Sequence, residues 1–160
     1  MAMSELRNLA ASHGCTDVQS YLQSGNLVFR ASASKQTIRT TIAQSLRNEF
    51  GSEVDVFAYT KSAFDAIAGS NPFSARSECD PKFQHVTFVD GGAGANWDRT
   101  LILGNNGDEA ILSGANYYVY CPNGYGRTKL TNGYFEKLVG RRATTRNWRT
   151  VTALAAMLET

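Results

Sequence analysis

Cysteine, proline and histidine are all scarce in this chain of 160 residues. The three cysteines, Cys15, Cys79 and Cys121, stand far apart, are odd in number and include no CxxC pair. That pattern speaks against a disulfide framework and against a zinc site, and makes the reducing cytoplasm the expected home. The two histidines, His13 and His85, fall in no HxxxH or Cys-His spacing, so no metal is expected, nor any cofactor. His85 opens a strand and reads as a surface or internally satisfied histidine. No GxSxG nucleophile elbow occurs. The acid pairs Glu53/Asp55 and Asp108/Glu109 sit at strand starts and read as solvated. Nothing assembles a nucleophile, a base and an orienting group. No run approaches the roughly 18 apolar residues that span a membrane, and the opening MAMSELRNLAASHG lacks the apolar core of a signal peptide.

Net charge is also nearly absent, at +2, but it is unevenly spread. The stretch from Tyr125 to Val151 holds Arg127, Lys129, Lys137, Arg141, Arg142, Arg146 and Arg149 against the single acid Glu136, a local charge of +6. The remainder of the chain carries −4. Apolar residues make up 42% and charged residues 19%, a globular balance. The length suits one core or two small subdomains.

In chain order, Ser4 is placed to cap a short helix from Met3 to His13 that Gly14 ends. Val18 to Leu22 and Leu27 to Phe29 flank a Ser24-Gly25-Asn26 turn, a hairpin pattern. Ser34 caps a helix from Lys35 to Phe50, with Ile38, Ile42, Leu46 and Phe50 on one face and Gly51 at its end. Glu53 to Tyr59 alternates and predicts a strand; Thr60 then caps a helix carrying Phe64 and Ile67. Residues 71–83, polar and holding two prolines, read as a linker. Gln84 to Asp90 predicts a strand and Asn96 to Leu103 a helix. Glu109 to Leu112 and Tyr117 to Cys121 predict a second hairpin. Thr128 is the expected cap of a helix closed by Gly140. Ala143 to Thr145 reads as extended, and Thr145 as the cap of a last helix bearing Trp148, Val151, Leu154, Ala155 and Leu158.

This order makes an α+β chain of tandem ferredoxin-like halves. Residues 1–70 form the first half, lacking its opening strand, with a connecting helix. Residues 84–160 form a full β-α-β-β-α-β unit plus a C-terminal helix.

The segments Tyr21-Leu22-Gln23-Ser24-Gly25-Asn26-Leu27-Val28-Phe29, Asn71-Pro72-Phe73, Asp80-Pro81-Lys82, Tyr125-Gly126-Arg127-Thr128-Lys129-Leu130-Thr131-Asn132 and Thr144-Thr145-Arg146-Asn147-Trp148 resemble a widespread, mostly bacterial family, domain of unknown function 1697. The resemblance covers essentially the whole chain. It implies a tandem ferredoxin-like fold and no established activity, catalytic residue or cofactor. Members begin with an apolar strand and an Arg-Gly-Ile-Asn turn, whereas this chain opens inside the helix that follows. A truncated or late start is therefore expected, with strands left unpaired at a sheet edge and open to self-association.

Two basic segments run into helix starts, where free N–H groups attract anions. In Gly124-Tyr125-Gly126-Arg127-Thr128-Lys129 the bland reading is a turn, a cap and two solvated bases; the spacing is not that of a phosphate-binding Walker loop. In Thr144-Thr145-Arg146-Asn147-Trp148 the bland reading is a cap and a core anchor. The functional expectation gathers Tyr125, Arg127, Lys129, Arg146, Asn147 and Arg149 at one anion site. Its ligand is a phosphate-bearing small molecule or a nucleic acid, bound without catalysis. The alternatives are an enzyme on a small anionic substrate, and a self-associating interaction module. Tyr117, Tyr118 and Tyr120 could stack bases on an open sheet, but the ribonucleoprotein strand motif is missing, and ordinary strand packing is the stronger expectation.

Overall fold

The computed structural model describes residues 2–51, 53–92 and 100–159. They form two compact units, Met1–Phe64 with Leu154–Thr160, and Asp65–Ala153.

The first unit is built on helices. Helix α1 (Met3–Ser12) begins one residue before the expected cap: Ala2 takes that position, and its N–H donates to the Glu5 carboxylate at 2.8 Å. Strands β1 (Thr16–Tyr21) and β2 (Asn26–Arg30) pair antiparallel. Asn26 closes their turn from within, its amide donating to the Tyr21 carbonyl at 3.1 Å and to Ser24 Oγ at 2.7 Å. Helix α2 (Lys35–Phe50) has the expected ends. Ser34 Oγ accepts from the Thr37 N–H at 3.2 Å, and Gly51 turns left-handed at φ 66°. Ile38, Ile42 and Leu46 pack on Leu9, Ala10 and Cys15.

The expected strand from Glu53 to Tyr59 does not form; residues 53–60 belong to no strand or helix. Alternation sorts side chains between faces, but a strand also needs a backbone partner. Among the described residues β1 and β2 pair only with each other, and Val54 stays 46% exposed. Thr60 does cap helix α3 (Lys61–Ala68), accepting from the Ala63 N–H at 3.2 Å.

The second unit is built on an antiparallel sheet of β3 (Gln84–Val89), β4 (Leu101–Leu103), β5 (Glu109–Ser113), β6 (Asn116–Tyr120) and β7 (Ala143–Asn147), in the order β4-β5-β6-β3-β7. The helix expected over Asn96 to Leu103 is corrected at its end: Leu101–Leu103 pairs with β5 as a strand, while its beginning lies outside the described residues. One sheet face carries Val89, Ala110, Tyr117, Val119 and Ala143 and packs on Phe135 of helix α4 (Asn132–Val139). Tyr117 and Phe135 have ring centroids 4.8 Å apart.

On the other face the Tyr118 hydroxyl donates to the Ile67 carbonyl at 2.6 Å, and Tyr120 meets Phe73 at 5.7 Å. Residues 71–83, read as a linker, hold two 3-10 turns, Pro72–Ala75 and Pro81–Phe83, with Phe73 fully buried. Asn71 donates to the Gln84 side chain at 2.8 Å, and Gln84 donates to the Cys79 carbonyl at 2.8 Å, so both buried amides are bonded. The molecule is thus a mixed α+β chain with antiparallel sheets, and no described helix is long and apolar enough to cross a membrane.

Candidate functional site

Pairing fixes where the basic segments go. Both β6 and β7 run antiparallel to β3, so they point the same way and end beside the start of β3. Three features meet at that end of the sheet: the turn after β6, the start of α4, and the start of helix α5 (Trp148–Met157).

The caps differ from the expected ones. Thr131 caps α4, its hydroxyl accepting from the Tyr134 N–H at 3.2 Å, and Asn147 caps α5, its side-chain oxygen accepting from the Thr150 N–H at 2.9 Å. Thr128 instead turns inward. Its hydroxyl donates to Asp108 at 2.7 Å and accepts from the Leu130 N–H at 3.1 Å, because Leu130 must reach the core. Asp108 is accordingly buried, not solvated. Thr145 stays in the sheet opposite Thr87, its hydroxyl bonded to Asn132 at 2.6 Å.

The six expected site residues divide. Tyr125 packs over the face covered by α4, in a 3-10 turn Tyr125–Arg127. Arg127 and Lys129 are exposed on the same loop, and Arg149 is exposed in the first turn of α5, beside the cap Asn147. None of these three bases has an acid within ion-pair distance among the described residues.

Arg146 does not join them. It pairs in register with Val86 and therefore belongs to the opposite face of the sheet. Its guanidinium folds back along β7 to Thr144 Oγ1 and the Thr145 carbonyl, both at 3.0 Å, and burial pulls its pKa below the ordinary arginine value. Of the other bases, Arg142 pairs with Glu136 at 3.5 Å, and Arg141 donates to the carbonyls of Gly91 and Gly92.

Reading the sequence missed His85. Its ring stacks on Tyr125, centroids 4.6 Å apart and planes 30° off parallel. The residue is 9% exposed, and its Nδ1 has no hydrogen-bond partner. Burial lowers its pKa below 6.5, and a hydrogen bond from the ring to the Phe83 backbone acts in the other direction. His85 is therefore not a surface histidine: it is buried, and its Nδ1 is left without a partner. No signal in the sequence marked it, since the contact is made by a loop from another part of the unit.

Of the three tyrosines considered for base stacking, Tyr120 is half-buried against Phe73, and the other two are closed off. Tyr117 and Tyr118 are 0% and 1% exposed, on opposite faces of the sheet. The thiols are equally withdrawn: burial raises the pKa of Cys15 and Cys79, and that of Cys121 to about 11. No cluster of His, Cys, Asp and Glu that could hold a metal occurs among the described residues.

No curated protein matches the chain. Among solved structures it is similar to the conserved bacterial protein SP0830 from Streptococcus pneumoniae, with a TM-score of 0.69 and 20% identity over 99% of this chain and 89% of that one. At that identity the likeness speaks for the fold alone. The family described as Protein of unknown function (DUF1697) matches residues 1–118, a span that includes His85 and ends before Tyr125. With most of its length inside that match, the chain belongs to the DUF1697 family.

Proposed function

We propose that this protein binds a phosphate-bearing ligand, a small molecule or a nucleic acid, without transforming it. The site is the end of the sheet where β6 and β7 finish. The supporting observation is that Arg127, Lys129 and Arg149 stand exposed and unneutralised beside two helix beginnings. Neither α4 nor α5 has an acid in its first turn. A base at a helix N-terminus opposes the helix dipole, an arrangement that an arriving anion relieves. Tyr125 and Asn147 complete the rim. Arg146 is left out of the binding set because it lies on the other face.

The proposal also includes the finer fold, two ferredoxin-like halves in tandem. The antiparallel order β5-β6-β3-β7, with α4 between β6 and β7, supports it for the second half. Three free, buried cysteines support a cytoplasmic location.

The test is a titration of inorganic phosphate, mononucleotides and short oligonucleotides at low and moderate salt. Bound anions displace counterions, so affinity must fall as salt rises. The double variant Arg127→Gln, Lys129→Gln should weaken binding by about tenfold or more, since each charge-assisted hydrogen bond contributes roughly 1.5–3 kcal/mol. If no probe shows salt-sensitive binding, the reading falls.

A further inference from the structure

His85 is the feature that anion binding by the rim leaves unexplained. A buried polar nitrogen without a partner is costly, and native structures keep few of them. This one lies directly beneath Tyr125, whose loop also carries Arg127 and Lys129. Gly124 sits at φ 95°, a conformation that favours glycine, and a side chain added at Gly124 or Gly126 would meet nothing within 4 Å. Open space therefore lies beside the backbone on both sides of Tyr125.

We propose that the ligand is a nucleoside phosphate, with its base held under the Tyr125 ring and hydrogen-bonded to His85 Nδ1, and its phosphate on Arg127 and Lys129. This rests on the anion-binding reading above and gives the ligand its second half. A base is flat enough to share the underside of Tyr125 with the imidazole. Its edge carries donors and acceptors, so either tautomer of the neutral ring finds a partner. Burial favours that neutral form. A free phosphate or a sugar phosphate would leave Nδ1 as it is now. A run of stacked bases is disfavoured, because Tyr117 and Tyr118 are closed inside the sheet layers and a single stack remains.

The two histidines make the test direct, because an imidazole NMR spectrum of the protein holds one signal set for His85 and one for His13. His13 serves as the control, bonded to Ser45 Oγ at 2.8 Å within the first unit. The probes are inorganic phosphate, ribose 5-phosphate and the four ribonucleoside 5′-monophosphates, with affinities from calorimetry. At least one nucleotide should bind about tenfold more tightly than ribose 5-phosphate, the worth of roughly 1.4 kcal/mol. That nucleotide should shift the His85 ring nitrogens while leaving His13 unmoved. His85→Phe, which keeps a stacked ring but no nitrogen, should reduce the nucleotide's affinity to that of ribose 5-phosphate and leave phosphate binding intact. Equal binding of ribose 5-phosphate and all four nucleotides would overturn the base subsite while the anion site stands. An unmoved His85 signal would do the same, even if the variant failed to fold. Binding of no probe at all would remove both proposals together.

Discussion

The strands of the two units are buried to different depths, and composition does not explain the difference. Every residue of β3 is buried, including Gln84, His85 and Thr87, whereas no residue of β1 is. β3 has a partner on each side, β6 and β7, with α4 packed on one face of the sheet and, on the other, Ile67 and Phe73 meeting Tyr118 and Tyr120 of β6. β1 has one partner. Placement in the sheet, more than residue type, decides which polar side chains lose water. Those that lose it must be bonded internally, as Asn71 and Gln84 are, or stand out, as His85 does.

The sharpest way to break this comparison is to cut a side chain from each unit. Phe135→Ala removes a fully buried ring from the second unit and should cost about 3–5 kcal/mol in urea unfolding. Phe29→Ala removes a half-buried one from the first and should cost roughly half as much. Equal costs would mean that depth of burial does not separate the two cores.

A smaller effect comes from pH. His85 has its pKa lowered in the fold, so below about 6.5 the unfolded chain binds a proton that the folded one refuses. Stability then rises with pH and is lost as pH falls through that region. The titrating ring sits against Tyr125 and between the register partners Val119 and Asn147. Tyr118 works at the other end of the scale. Burial pushes its pKa up to about 12, so its contribution is complete below pH 10 and lost between 10 and 12. Urea midpoints followed across pH should fall on both sides. His85→Phe should flatten the acid side alone, and Tyr118→Phe the alkaline side alone. A wild-type acid limb unchanged by His85→Phe would assign that limb to other groups.

The smallest effect tests what the units share. Ser34→Ala on α2 and Asn147→Ala on α5 each remove one capping oxygen, and each should cost about 1 kcal/mol. A cap acts on its own first turn, so here the two units should not differ. A much larger cost at Asn147 would show that it supports the sheet end as well as the helix.

Local signals in the sequence were reliable where they act locally. Ile38, Ile42 and Leu46 at spacing four, with Ser34 before and Gly51 after, define α2 because helix bonds close within the segment. The Gly140 stop of α4 and the Thr60 cap of α3 are of the same kind. The misreadings share a cause. Glu53 to Tyr59 has the alternation of a strand but no ladder to enter, and Leu101–Leu103 is a strand because β5 pairs with it. Thr128 and Thr145 looked like caps. Burying Leu130 drew the first inward, and continued pairing with β3 kept the second in the sheet, moving the caps to Thr131 and Asn147.

The site divides along the same line. By itself the sequence determined that positive charge gathers between Tyr125 and Val151, because charge is carried by residue identity. It determined too that these bases lie close to helix beginnings, which short-range capping chemistry sets. Only the tertiary structure decided which of them share a surface. Pairing β7 with β3 places Arg146 on the face opposite Tyr125, since neighbours along a strand point to opposite sides. Folding the Tyr125 turn back onto β3 stacked Tyr125 on His85, whose Nδ1 is buried and unpartnered, a juxtaposition made by residues forty positions apart.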